Sequence, residues 1–168
     1  LRNWPSFQRP EAIAAAADYA YERYGLLPIF LPIELPRDID AAAKVTAHMR
    51  APYYACRRRF TVEELIGMLG SMRLVVGMRL HSLIFSTSGG APVVGVSYDV
   101  KVDSFIRDIG STACIPLAEL NEDKLTREID RIAETGFARA SQATACLREK
   151  ERVNLASARE LLGQPAER

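Results

Sequence analysis

The sequence predicts one α/β domain built on a mostly parallel sheet with helices on both faces. Three observations lead there. Short, continuously apolar runs such as Arg73-Leu74-Val75-Val76-Gly77 and Pro92-Val93-Val94-Gly95-Val96 read as strands buried on both sides. These runs alternate along the chain with stretches of helical periodicity. Apolar residues make up 48% of the 168, enough for one core, and the net charge of +1 lacks the basic excess of a nucleic-acid-binding surface.

The elements follow in order. A helix is expected over Pro10–Tyr24, because Pro10 suits the first helical position and Ile13, Ala16, Ala17, Ala20 and Tyr24 recur at helical spacing. Gly25 supplies the left-handed residue that ends it. A short strand follows over 27–31, with Pro28 tolerable only at its start. A helix over 38–49 and a weakly signalled strand over 52–56 come next. Thr61-Val62-Glu63-Glu64 is a capping box and opens a helix that ends near Gly70. A strand over 73–77, a helix over 79–88 closed by Gly89-Gly90, a strand over 92–96 and a helix over 101–109 ended by Gly110 continue the alternation. Cys114-Ile115-Pro116-Leu117 is an edge-like last strand. Asn121 caps a final long helix, with Leu125, Ile129, Ile132, Phe137, Ala140 and Leu147 on its buried face and a charged, exposed helical tail beyond Arg148. Residues 121–168 are thus read as a helical extension of a single domain spanning 1–168.

With Leu1-Arg2 closing a first strand, six strands result. The simplest arrangement is a Rossmann-like, doubly wound sheet in the order 3-2-1-4-5-6, with ligands beyond the carboxyl ends of strands 1 and 4. Because the chain opens on Leu1-Arg2-Asn3-Trp4, we expect it to be part of a longer protein. No apolar run approaches the roughly 20 residues of a membrane span. Cys56, Cys114 and Cys146 are far apart and lack paired spacing, so they read as small buried residues in a reducing compartment, and no metal site is expected from them with His48 and His81. No glycine fingerprint follows the first strand, which argues against a nicotinamide or flavin cofactor; no cofactor is expected.

The topology places Arg2-Asn3 just past strand 1, Met78-Arg79-Leu80-His81 just past strand 4 and Ser97-Tyr98-Asp99 just past strand 5, all on one rim. On a helix starting near Arg79, Leu80, Leu83, Ile84 and Thr87 share the sheet-facing side, with Arg79 and His81 to either side of it in the first turn. There an arginine adds a two-pronged donor for carboxylate or phosphate, and a histidine can exchange a proton near neutral pH. The alternative is that Arg79 pairs with a nearby acid and His81 is a packing residue. Asp99 reads equally as a helix cap, Arg2 as a strand-end surface charge, His48 as a surface residue and Arg57-Arg58-Arg59 as a solvated basic turn.

The block Gly77-Met78-Arg79-Leu80-His81-Ser82-Leu83-Ile84-Phe85, joined to Gly90-Ala91-Pro92-Val93-Val94-Gly95-Val96-Ser97-Tyr98-Asp99-Val100-Lys101-Val102-Asp103, resembles the polysaccharide pyruvyl transferase family, in particular the bacterial branch that modifies secondary cell-wall polymers. Leu1-Arg2-Asn3-Trp4 and Thr61-Val62-Glu63-Glu64-Leu65 also fit, and the likeness spans roughly residues 1–117. It implies the C-terminal domain of a two-domain fold like that of GT-B glycosyltransferases. It also implies transfer of a pyruvyl group from phosphoenolpyruvate to two hydroxyls of a sugar in a cell-wall or exported polysaccharide, as in surface-layer anchoring. The acceptor would be a saccharide, free or lipid-linked, met in the cytoplasm or at the inner face of the membrane. His81 and Arg79 map onto the family's catalytic pair. Arg2, Arg79, Ser82, Ser97, Tyr98 and Asp99 are the expected substrate-binding residues, and further groups come from an N-terminal domain of the same protein. Two other readings stand beside this one: a nucleotide-sugar glycosyltransferase or epimerase domain, and a non-catalytic binding or assembly half.

Overall fold

The computed structural model describes residues 9–138 and 140–162. Its first element, α1 (Pro10–Tyr24), has the bounds expected from the sequence. Pro10 opens it, and Gly25, at φ 64°, closes it while the amides of Gly25 and Leu26 bond back to the carbonyls of Tyr21 and Ala20. Then follow β1 (Ile29–Phe30), α2 (Arg37–Thr46), β2 (Tyr54–Ala55), α3 (Val62–Ser71), β3 (Val75–Gly77), α4 (Leu80–Ser88), β4 (Val93–Ser97), α5 (Val100–Asp108), β5 (Cys114–Pro116), one 3-10 turn (Leu117–Glu119), α6 (Glu122–Glu134) and α7 (Ser141–Leu161). The predicted caps form as written. The Thr61 hydroxyl accepts from the Glu64 amide while the Glu64 carboxylate accepts from the Thr61 amide, and Asn121 accepts from the Lys124 amide.

The sheet departs from expectation. Among the described residues there are five short strands in two parallel sheets, β1-β2 and β3-β4-β5, rather than one sheet of six. The neighbours are those expected for the 3-2 and 4-5-6 portions of the order. The expected first strand at Leu1-Arg2 lies outside the described residues. No hydrogen-bonded strand joins β1 to β3 among the described residues, and both line an apolar cleft of about 210 Å³ floored by Ile13, Ala16 and Ala20 of α1.

The three-stranded sheet is covered on both faces. Every residue of β4 is buried. Its alternate side chains feed two cores, Val94 and Val96 meeting α1 and α6 on one face, Val93 meeting α3, α4 and α5 on the other. This two-sided burial is why the strand reads as an unbroken apolar run.

The expected single final helix is two helices. Gly136 and Phe137 both adopt left-handed φ values, 65° and 56°, and end α6. The Phe137 ring is held edge-on to Tyr24 at 5.6 Å and beneath the Arg73 guanidinium at 4.9 Å, contacts that favour an otherwise costly backbone for a non-glycine residue. The turn brings α7 back over α4, where the Ala140 amide bonds to the Gly90 carbonyl and the Thr144 hydroxyl to the Thr87 carbonyl. None of the helices among the described residues is long and apolar enough to cross a membrane.

The end of α3 touches the end of α4 through two glycines. A Cβ on Gly89 would lie 2.3 Å from the Gly70 Cα, and one on Gly70 would lie 2.8 Å from the Gly89 Cα. Both obstacles are backbone, which cannot rotate away. Gly89→Ala is therefore expected to cost about 2 kcal/mol of stability, within the range for overpacking, read as a lower denaturation midpoint with an unchanged slope.

Candidate functional site

The site grows from the end of β3. Gly77 closes that strand, and a Cβ there would meet the Leu83 Cδ2 at 2.7 Å and the Ser82 Oγ at 2.8 Å. Its bare Cα lets the first turn of α4 settle against the strand end. Arg79 takes the cap position with extended backbone, φ −91° and ψ 130°. An arginine carries no acceptor, so it cannot cap the helix amides. The turn is fastened instead by the Ser82 hydroxyl, which donates to the Arg79 carbonyl at 2.6 Å.

The Arg79 side chain turns into the cleft and is only 12% exposed. Its Nε donates to both Asp38 carboxylate oxygens, at 3.0 and 2.9 Å, and one terminal nitrogen donates to Oδ1 at 2.6 Å. Its other terminal nitrogen meets Glu34 Oε2 at 2.7 Å. Asp38 is buried in the first turn of α2 and also accepts the Ile33 and Glu34 amides at 2.9 and 2.8 Å. Burial works against the charge on Arg79. The hydrogen bond and charge of Asp38, followed by those of Glu34, outweigh it and raise the guanidinium above its ordinary pKa. Arg79 thus pairs with acids, the alternative left open by the sequence, and it does so at the carboxyl end of β3 within the cleft wall.

A family model described as polysaccharide pyruvyl transferase matches residues 3–100, more than half of the chain. The chain belongs to the polysaccharide pyruvyl transferase family. No curated protein and no solved structure matches it. The match runs from before α1 to the start of α5, so it contains β1 to α2 and β3 to α4, the stretches that carry Glu34, Asp38, Arg79, His81 and Ser82.

The remaining residues singled out in the sequence are dispersed. Ser82 is buried and lines the cleft beside Arg79. His81 is exposed on another side of α4 and outside the cleft wall, its ring 6.0 Å from that of Phe85. Ser97 ends β4, Tyr98 and Asp99 follow it, and none of the three lines the cleft. Ser97 is buried, Tyr98 packs against the core beneath α1, and Asp99 caps α5 by accepting the Lys101 amide at 3.0 Å. Arg2 lies outside the described residues. His48 is exposed, and Arg58 stacks over Phe60 and pairs with Glu64, as a solvated basic turn does. Among the described residues no cluster of His, Cys, Asp and Glu could hold a metal ion.

Sequence reasoning missed Glu34 and Asp38. Asp38 was visible only as the start of a helix; an acid in a first turn signals a favourable dipole contact, and nothing local says that it is buried against a residue 41 positions on. Near Ser97, the Cys114 thiol donates to Asp103 Oδ1 at 3.3 Å. Burial first, then the Asp103 hydrogen bond and charge, push the thiol up to about 11.

Two outcomes follow. Arg79→Ala strands a buried carboxylate and is expected to cost about 3–5 kcal/mol of stability, whereas Glu34→Gln, at the half-exposed partner, should change it by less than about 1 kcal/mol; chemical denaturation compares the two. Cys114 stays protonated through neutral pH, so site-resolved mass spectrometry should find its alkylation slow at pH 8 and rising with pH toward 11, and Asp103→Asn should speed it.

Proposed function

We propose that the chain is the phosphoenolpyruvate-binding half of a pyruvyl transferase that builds a cyclic pyruvate ketal on a sugar of a cell-wall or exported polysaccharide. The observation that carries this is the position of Arg79 inside the family-matched region, at the carboxyl end of a buried parallel strand and in the wall of a cleft. The exposure of His81 beside that cleft supports an acceptor side completed by a second domain, in the manner of a GT-B-like enzyme, with residues 1–168 as one C-terminal unit.

The chemistry then runs as follows. A general acid, here His81, delivers a proton to C3 of phosphoenolpyruvate while a sugar hydroxyl attacks C2 and gives up its own proton. Phosphate leaves with the C2–O bond electrons, and the oxocarbenium-like centre is closed by the second hydroxyl, which also loses its proton. Arg79 and Arg2 hold the carboxylate and phosphate and stabilise charge on the leaving group. Ser82 lies within the same wall, and Ser97, Tyr98 and Asp99 offer contacts along the adjoining rim. The reaction asks for no cofactor, and its acceptor, free or lipid-linked, would be met in the cytoplasm or at the inner membrane face.

The test is thermal unfolding of the chain with phosphoenolpyruvate, UDP-sugars and GDP-sugars in separate arms. Stabilisation by phosphoenolpyruvate alone, by about 2.7 kcal/mol at a hundredfold excess over Kd, is the expected result. Stabilisation by a nucleotide sugar instead overturns the proposal in favour of glycosyl transfer.

A further inference from the structure

Resting on the pyruvyl-transfer reading, we propose that Glu34 occupies on Arg79 the place of the donor's anionic group, and that Asp38 is the positioning residue that keeps Arg79 aimed when Glu34 leaves.

The two acids on Arg79 are held very differently. Asp38 is 1% exposed, takes Nε and one terminal nitrogen of the guanidinium, and is fixed by two backbone amides. Glu34 is 44% exposed and reaches only the remaining terminal nitrogen. Its other oxygen accepts from Arg37, itself 62% exposed, at 3.0 Å. Exposed ion pairs of this kind yield readily, whereas a buried, multiply bonded pair does not. The Glu34 amide is anchored on Asp38, so its side chain can swing out by rotation about its own bonds while the backbone stays in place.

Charge gives the swap its sense. Arg79 and Arg37 balance Asp38 and Glu34, so with Glu34 seated both cations are engaged and the group is a poor host for a small acid carrying carboxylate and phosphate. Displacing Glu34 moves its carboxylate away and exposes the outer donors of Arg79. It also frees Arg37 as a second cation at the mouth. A planar two-pronged donor whose inner edge is already fixed presents its outer edge in one orientation, which suits a carboxylate or phosphate oxygen. Glu34 therefore acts as an internal competitor for the anion, and apparent affinity falls by the fraction of molecules in which it is seated.

Calorimetric titration of phosphoenolpyruvate into the chain tests this, using the wild type, Glu34→Gln, Asp38→Asn and Asp38→Glu, each well below its own unfolding temperature. Glu34→Gln should bind roughly threefold to tenfold more tightly than wild type, a gain that a merely structural role would not give. Asp38→Asn should bind at least about tenfold more weakly while still folded, with partial recovery in Asp38→Glu. Separate titrations of pyruvate and of inorganic phosphate identify the group that replaces Glu34: a gain shared by pyruvate places the carboxylate there, and a gain shared by phosphate alone places the phosphate there, and either supports the swap. Unchanged or weaker binding by Glu34→Gln overturns it and leaves the pyruvyl-transfer reading standing if wild type binds. Unchanged binding by folded Asp38→Asn overturns the positioning role. Absence of phosphoenolpyruvate binding in wild type and every folded variant overturns both the swap and the reading beneath it.

Discussion

Two sheets that share no backbone hydrogen bond among the described residues are tied at their carboxyl ends by a buried carboxylate and a buried guanidinium. Asp38 opens the helix that follows β1, and Arg79 opens the helix that follows β3. Between them runs an apolar cleft with little polar material to hold its walls in register. The pair fixes how the β1–α2 unit sits against the β3–α4 unit, and with it the mouth of the cleft. Its worth as a stability device is limited, because two charges lose their hydration on burial; its value is geometric, since only one arrangement satisfies both.

The same pair explains how a residue read as a ligand donor is also a structural tie. A guanidinium presents donors on more than one edge, and a single carboxylate satisfies only part of them. Asp38 takes the edge nearest the side-chain stem, which leaves the outer donors to the half-exposed Glu34. Packing and recognition are thereby divided between two faces of one planar group.

Much of the fold was legible in the sequence because its determinants are local. Pro10 and Gly25 bracket α1, Thr61 and Glu64 cap α3, and the apolar run through Val93–Ser97 announces a strand buried on both sides. The break at Gly136 and Phe137 was not legible, because the turn rests on Tyr24 and Arg73, which are distant in sequence. The two-sheet arrangement was equally hidden: pairing is a property of neighbours, and the stretch expected to supply the first strand lies outside the described residues. At the site, Arg79 and Ser82 follow β3 and line the cleft. His81 shares the motif but is exposed outside the cleft wall, because Arg79 sits at the extended cap while His81 is already on the helix. Glu34 and Asp38 carried no motif at all.

The return of α7 over α4 has a mechanical meaning. One end of α4 is gripped by Thr144 and Ala140 at the Thr87 and Gly90 carbonyls, the other by Asp38 through Arg79. Nine helical residues span about 13 Å and behave as a stiff strut at that length. A strut clamped at both ends transmits axial displacement instead of absorbing it. The C-terminal helix, outside the family-matched region, is thus joined through α4 to the guanidinium at the cleft.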